Sequence, residues 1–184
     1  AAGQRPVSAD VAGYLLDIDE DIVEAAGIEK LTPENYERCS HDDRWAHSLA
    51  YALAERYWPG ALTLILRRAA IVPDAVTSGG ETVAVRAPDH AVTQALISAL
   101  GAPLAATSAN LSGQPAPDAP EGVLAQLDGR IDLLLDGGTC PGGMASTVLD
   151  LTIWPPAILR SGPVTAAQLS AIVPLADTPA SRSG

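Results

Sequence analysis

The residues best suited to chemistry lie between Pro103 and Pro117, where Thr107, Ser108, Asn110 and Ser112 follow a short apolar run. They are small neutral donors and acceptors, fit for holding polar groups. No His follows nearby to activate a serine, so unaided nucleophilic attack is not their chemistry. A plainer reading is that they turn the chain after a strand. Two arginines add charge: Arg86 closes the alternating run Thr82 to Arg86, and Arg160 closes Ala157 to Arg160. An Arg sharing a strand face with Thr82 and Ala84 must reach solvent or pair with an anion. Arg67-Arg68 offers the same pair of readings, a phosphate site or a solvated strand end. The glycine-rich segment from Asp136 to Ser146 can approach a ligand closely, yet it fits neither GxxxxGK[ST] nor GxGxxG and equally reads as a hairpin loop.

These residues need elements to position them. Leu104 to Ala106, bounded by Pro103, reads as a buried strand ending in the polar loop, where an open α/β sheet meets its ligands. Further strands are expected at Leu62–Leu66, Thr82–Arg86, Ile131–Leu135, Thr147–Leu151 and Ala157–Arg160. Trp45, Leu49, Leu53 and Tyr57 recur every four residues, so Asp42 to Tyr57 is an amphipathic helix stopped by Pro59-Gly60. Helices are also expected from Pro88-Asp89 to Leu100 with Gly101 as C-cap, over Glu121–Leu127, and over Thr165–Ile172. Two short ones are expected at Asp19–Ala26 and Thr32–Arg38. Asp74 to Glu81 reads as a polar loop. Strands alternating with helices make an α/β domain. Thr82, Arg86, Ser108, Asn110, Ser146 and Arg160 are expected to converge on one crevice, a site that works by orientation and electrostatics.

Composition narrows the class. The 184 residues are 47% hydrophobic with a mean hydropathy of +0.16, enough for one sizeable core. Twenty-two acidic residues face 11 basic ones, and a net charge of −11 disfavours direct RNA binding. Lys30 is the sole lysine. No stretch approaches a membrane span or a signal segment, so a soluble cytoplasmic protein is expected. Cys39 and Cys140 lack metal or disulfide spacing, and no metal site is expected.

Five motifs, in order, carry a family resemblance: Trp58-Pro-Gly-Ala-Leu-Thr-Leu-Ile-Leu66, Thr82-Val-Ala-Val-Arg-Ala-Pro-Asp-His90, Pro103 to Gly113, Ser146-Thr-Val-Leu-Asp150 and Ile158-Leu-Arg-Ser-Gly162. Together they resemble the YrdC-type L-threonylcarbamoyladenylate synthases. The resemblance implies a twisted open mixed β-sheet flanked by helices, α/β, as a single domain over residues 1–176; the Ser-, Pro- and Ala-rich stretch 177–184 reads as a flexible tail. It implies formation of threonylcarbamoyl-AMP and pyrophosphate from L-threonine, bicarbonate and ATP, with Mg²⁺ on the phosphates. A downstream threonylcarbamoyl transferase would then modify tRNA to N6-threonylcarbamoyladenosine.

By the resemblance, Thr82, Ser108, Ala116 and Arg160 match ATP positions, and Arg86, Ala106 and Ser146 match threonine positions. Arg5, Ser108 and Asn110 are the expected catalytic group. The family's Lys-x-Arg signature aligns with Gly3-Gln4-Arg5, which keeps the arginine and replaces the lysine. Residues 1–31 match poorly, and a family segment carrying Thr-Val-Tyr-Gly-Leu has no counterpart, so a truncated or degenerate member is expected. Two other readings stay open: a nucleotide- or RNA-binding module without turnover, and a carbamoyl-transfer accessory domain.

Overall fold

The computed structural model describes residues 44–140 and 144–176. In chain order these form α1 (Arg44–Tyr57), β1 (Leu62–Arg67), α2 (Asp74–Thr77), β2 (Thr82–Val85), α3 (Ala91–Leu100), α4 (Pro120–Leu127), β3 (Thr147–Asp150), β4 (Ala157–Arg160) and α5 (Ala166–Ser170). They fall into two compact units, one of residues up to Pro103 together with those from Ala145 onward, the other Leu104–Met144.

The first unit holds a mixed sheet in the order β2-β1-β3-β4. β1 pairs antiparallel with β2 and parallel with β3, and β3 pairs antiparallel with β4. β1 buries Leu62, Leu64 and Leu66 and turns Thr63, Ile65 and Arg67 the other way. This two-residue alternation is what a sheet with one covered face requires. β2 repeats it: Val83 and Val85 are buried, while Thr82, Ala84 and the following Arg86 are exposed, as their alternation predicts.

The covered face packs on α1. Trp45, Leu49, Ala50, Leu53 and Ala54 form the buried stripe of that helix, joined by Trp58, Leu149, Leu151, Val164, Leu169 and Val173. Leu49 and Leu53 are fully buried, so the period of four read from the sequence marks the core face. The chain leaves α1 at Trp58, whose indole Nε1 donates to the Leu62 carbonyl at 2.7 Å. That bond satisfies a buried indole and ties the helix exit to the start of β1. α5 begins on a capping box in which Thr165 and Gln168 exchange bonds.

Several expectations need correction. Leu104–Ala106 is neither strand nor buried; Leu104 is 39% exposed. Ile131–Leu135 likewise forms no strand, and Leu133 is 74% exposed. Apolar runs signal a preference for burial, but a strand exists only when a neighbour supplies its ladder, and no described strand pairs with either run. Pro103, just before the first run, also lacks a backbone donor. Within Asp74–Glu81 one helical turn, α2, replaces the expected loop, with Asp74 in its first turn and Ser78 in the left-handed region at φ 54°. α3 is capped by His90, whose Nδ1 accepts from Thr93 N, so it starts two residues later than Asp89 suggested. The helices expected at Asp19–Ala26 and Thr32–Arg38 lie outside the described residues, as does the tail from 177.

Candidate functional site

The face of the sheet opposite α1 carries the first unit's polar candidates. Leu64 pairs with Val85 at the end of the β1–β2 ladder, and Thr63 and Arg86, the next residue of each chain segment, lie on the opposite face. Thr63 pairs with Val148, and Val148 with Arg160. Thr63, Val148 and Arg160 thus form a row, and Arg86, just past the end of β2, stands at the opposite edge of the sheet from Arg160, three strand spacings of about 4.8 Å away. Thr82 is on the same face, opposite Arg67, two pleats from Arg86.

A register shift shapes the Arg160 end. Val148 faces Arg160 while Leu149 faces Ile158, which leaves Leu159 as the extra residue of a bulge, 58% exposed. A bulge re-aims the side chains beside it, and this one returns Arg160 to the row. Ser146, immediately before β3 and only 5% exposed, receives it. Arg160 Nε donates to the Ser146 carbonyl and Nη2 to Ser146 Oγ, each at 3.0 Å. These two bonds use the side edge of the guanidinium. Its end edge, the Nη1 hydrogens and the second Nη2 hydrogen, faces away from Ser146 as a fork suited to a carboxylate or phosphate. Thr63 Oγ1 bonds Ser146 Oγ at 2.7 Å from the other side.

Two neighbours fix the Ser146 backbone. Thr147 N donates to the Ala61 carbonyl at 2.9 Å, which aligns the start of β3 with that of β1. Gly162 lies so close that a Cβ there would overlap Thr147 N and the Ala145 carbonyl oxygen. Only glycine lets the chain after β4 pass this close. Arg68, by contrast, is engaged by Asp74 and the Val72 carbonyl, which makes it a strand end with an ion pair.

The second unit carries Ala106, Ser108, Asn110 and Ala116. Ala106, Ser108 and Ala116 are exposed. Asn110 is occupied by its own loop: Nδ2 donates to the carbonyls of Leu111 at 2.8 Å and Gln114 at 2.9 Å. Gln126 of α4 fastens the same loop, accepting from Leu111 N at 2.9 Å and donating to the Pro115 carbonyl at 3.1 Å. Asn110 Nδ2 thus fastens the segment between Ser108 and Ala116, while its buried Oδ1 has no hydrogen-bond partner among the described residues. In the glycine-rich stretch, the Asp136 carboxylate accepts from Gly138 N at 2.8 Å and forms a tight turn. Arg5 lies outside the described residues. Thr63, Gln126 and Gly162 were not singled out from the sequence as site residues, although Thr63 is the one hydroxyl in the apolar strand Leu62 to Leu66.

Comparison with known proteins decides the family. The Sua5/YciO/YrdC model, described as telomere recombination, matches residues 33–162. The chain belongs to this family. It is 43% identical over 124 residues to the threonylcarbamoyl-AMP synthase of Pyrococcus abyssi, and 49% identical over 128 residues to that of Bacillus subtilis. Each match covers 67% of this chain and 36% of the relative, so the chain spans about a third of the length of these family members. Among solved structures, P. abyssi Sua5 complexed with L-threonine superimposes with a TM-score of 0.64 at 35% identity, covering 86% of this chain and 43% of that one. Escherichia coli YciO matches with a TM-score of 0.56 at 33% identity, covering 62% of this chain and 56% of its own. The mixed sheet flanked by helices is thus the Sua5/YciO fold. Among the described residues no helix is long and apolar enough to cross a membrane.

Proposed function

We propose that this Sua5/YciO/YrdC chain carries the ATP- and threonine-binding face of an L-threonylcarbamoyladenylate synthase. The observation that supports it is the row Thr63–Val148–Arg160 with Arg86 just past the end of β2, a cation at each side of the sheet and the Thr63 hydroxyl between. In this reading Arg86 forks the threonine carboxylate and Ser146 belongs to the threonine side, while Ala106, in the second unit, matches a threonine position by the family resemblance. The free end edge of Arg160 meets ATP phosphate, and Thr82 is a further nucleotide position; Ser108 and Ala116, in the second unit, match nucleotide positions by the family resemblance.

The reaction asks for no protein nucleophile. The threonine amine condenses with bicarbonate, releasing water, to give a carbamate, whose oxygen attacks the α-phosphate and expels pyrophosphate. The chain's residues then act by holding two anionic reactants in line and offsetting phosphate charge. Among the described residues no group of three or more His, Cys, Asp or Glu side chains could hold a metal ion. In this reading Mg²⁺ sits on the ATP phosphates, and no step is routed through it. The product would pass to a threonylcarbamoyl transferase acting on tRNA.

Pyrophosphate release by the 184-residue chain tests this, with ATP, Mg²⁺, threonine and bicarbonate each omitted in turn. Release that needs both threonine and bicarbonate and is lost in Arg160→Ala is the expected result. ATP uptake with no release would instead select a binding module without turnover, the reading favoured by Gly3 where the family has lysine. Activity with carbamoyl phosphate and none with threonine would select a carbamoyl-transfer domain.

A further inference from the structure

We infer that Thr63 is a positioning residue for the anion site at Arg160, acting through the Ser146 hydroxyl. The chain of contacts is short. Thr63 Oγ1 and Ser146 Oγ are 2.7 Å apart, and Ser146 Oγ accepts from Arg160 Nη2 at 3.0 Å. A serine hydroxyl has one hydrogen and two lone pairs. Arg160 occupies one lone pair. Thr63 engages either the other lone pair or the hydrogen, and in both cases the hydroxyl is fixed at two points.

Without Thr63 that hydroxyl is held by Arg160 alone and can turn to another staggered rotamer, releasing Nη2. The guanidinium then keeps only the bond from Nε to the Ser146 carbonyl, which, no longer braced by a second bond, opens more often as the group swings. A fork that swings loses the fixed orientation that bidentate anion recognition depends on. Thr63 itself touches no ligand in this account. Its place is set by strand register: it pairs with Val148, which pairs with Arg160. The one hydroxyl of β1 is thereby used to aim an arginine two strands away.

The consequence for ATP rests on the proposed function; the hydrogen-bond chain does not. Two readouts on the full 184-residue chain keep them apart: exchange of the Arg160 Nε hydrogen by ¹⁵N NMR, and titration with ATP and Mg²⁺. Thr63→Val removes the hydroxyl at nearly constant volume, and Thr63→Ser restores it. Thr63→Val should speed Arg160 Nε–H exchange about fivefold or more, and Thr63→Ser should leave it near the wild-type rate. ATP should bind Thr63→Val several-fold more weakly, again restored by serine. Should Thr63→Val fail to fold, Ser146→Ala cuts the same link and should speed the exchange alike. Unchanged exchange in a folded Thr63→Val or Ser146→Ala protein overturns the inference, as does Thr63→Ser behaving like valine. If the wild-type chain takes up no ATP while exchange still responds to Thr63, the proposed function fails and the positioning role stands.

Discussion

The Thr147 hydroxyl and Val164 form a closed two-bond bridge. Oγ1 donates to the Val164 carbonyl at 2.7 Å, and Val164 N donates back to Oγ1 at 3.1 Å. Thr147 is fully buried. A single hydroxyl thus satisfies both backbone groups of a residue 17 positions away and holds the segment after β4 against the start of β3. Thr147→Val would strand a buried donor and acceptor. A loss of roughly 2 kcal/mol is expected, read as a lower midpoint in urea unfolding; an unchanged midpoint would refute the bridge.

Gly162 sets the spacing beside that bridge. Gly162→Ala must push its Cβ into the backbone of Ala145 and Thr147, carrying Ser146 with it. Overpacking of this kind costs on the order of 1–3 kcal/mol. The amide resonances of Ser146 and Thr147 should shift, and ATP binding should weaken more than the loss of stability alone would cause. Shifts confined to residue 162 would show that the close approach is not transmitted.

Gln126 should govern the loop that bears Asn110. Gln126→Ala removes both side-chain bonds to Leu111 and Pro115. The Leu111 amide should then exchange with solvent about tenfold faster or more, while the Leu64 amide in β1 keeps its protection. Equal protection at Leu111 in both proteins would argue against the clamp.

Leu53 tests the core directly. It is fully buried on α1 within the main cluster. Leu53→Ala should cost about 2–5 kcal/mol, whereas Leu133→Ala, at a residue 74% exposed, should cost well under 1 kcal/mol. Thermal unfolding of the two side by side checks the contrast, and similar shifts would contradict it.

Where burial follows local periodicity, the sequence was readable. The four-residue rhythm of Trp45, Leu49 and Leu53 and the two-residue rhythm of Thr82 to Arg86 are each set by one covered face, so the pattern and the burial agree. Leu104–Ala106 and Ile131–Leu135 misled because apolarity alone does not specify a pairing partner. His90 was hidden as a cap because its ring nitrogen does what a short Ser or Asp side chain ordinarily does. At the site, motif order marked Arg86, Ser146 and Arg160. The link through Thr63 was invisible, since it depends on the register between β1 and β3 and on a bulge at Leu159, neither of which local composition encodes.

The parallel pairing of β1 with β3 has a kinetic side. Thr63 and Ser146 meet across 83 positions of sequence. Closing a loop of that size carries an entropy cost that grows with the logarithm of its length, and non-local pairings of this kind slow folding. The β1–β2 hairpin can form early from nearby residues. The Ser146 contact can form only once the late-synthesised third strand has docked, so the arginine fork should be among the last features to assemble, and a nascent chain should hold its β1–β2 pairing before the fork exists.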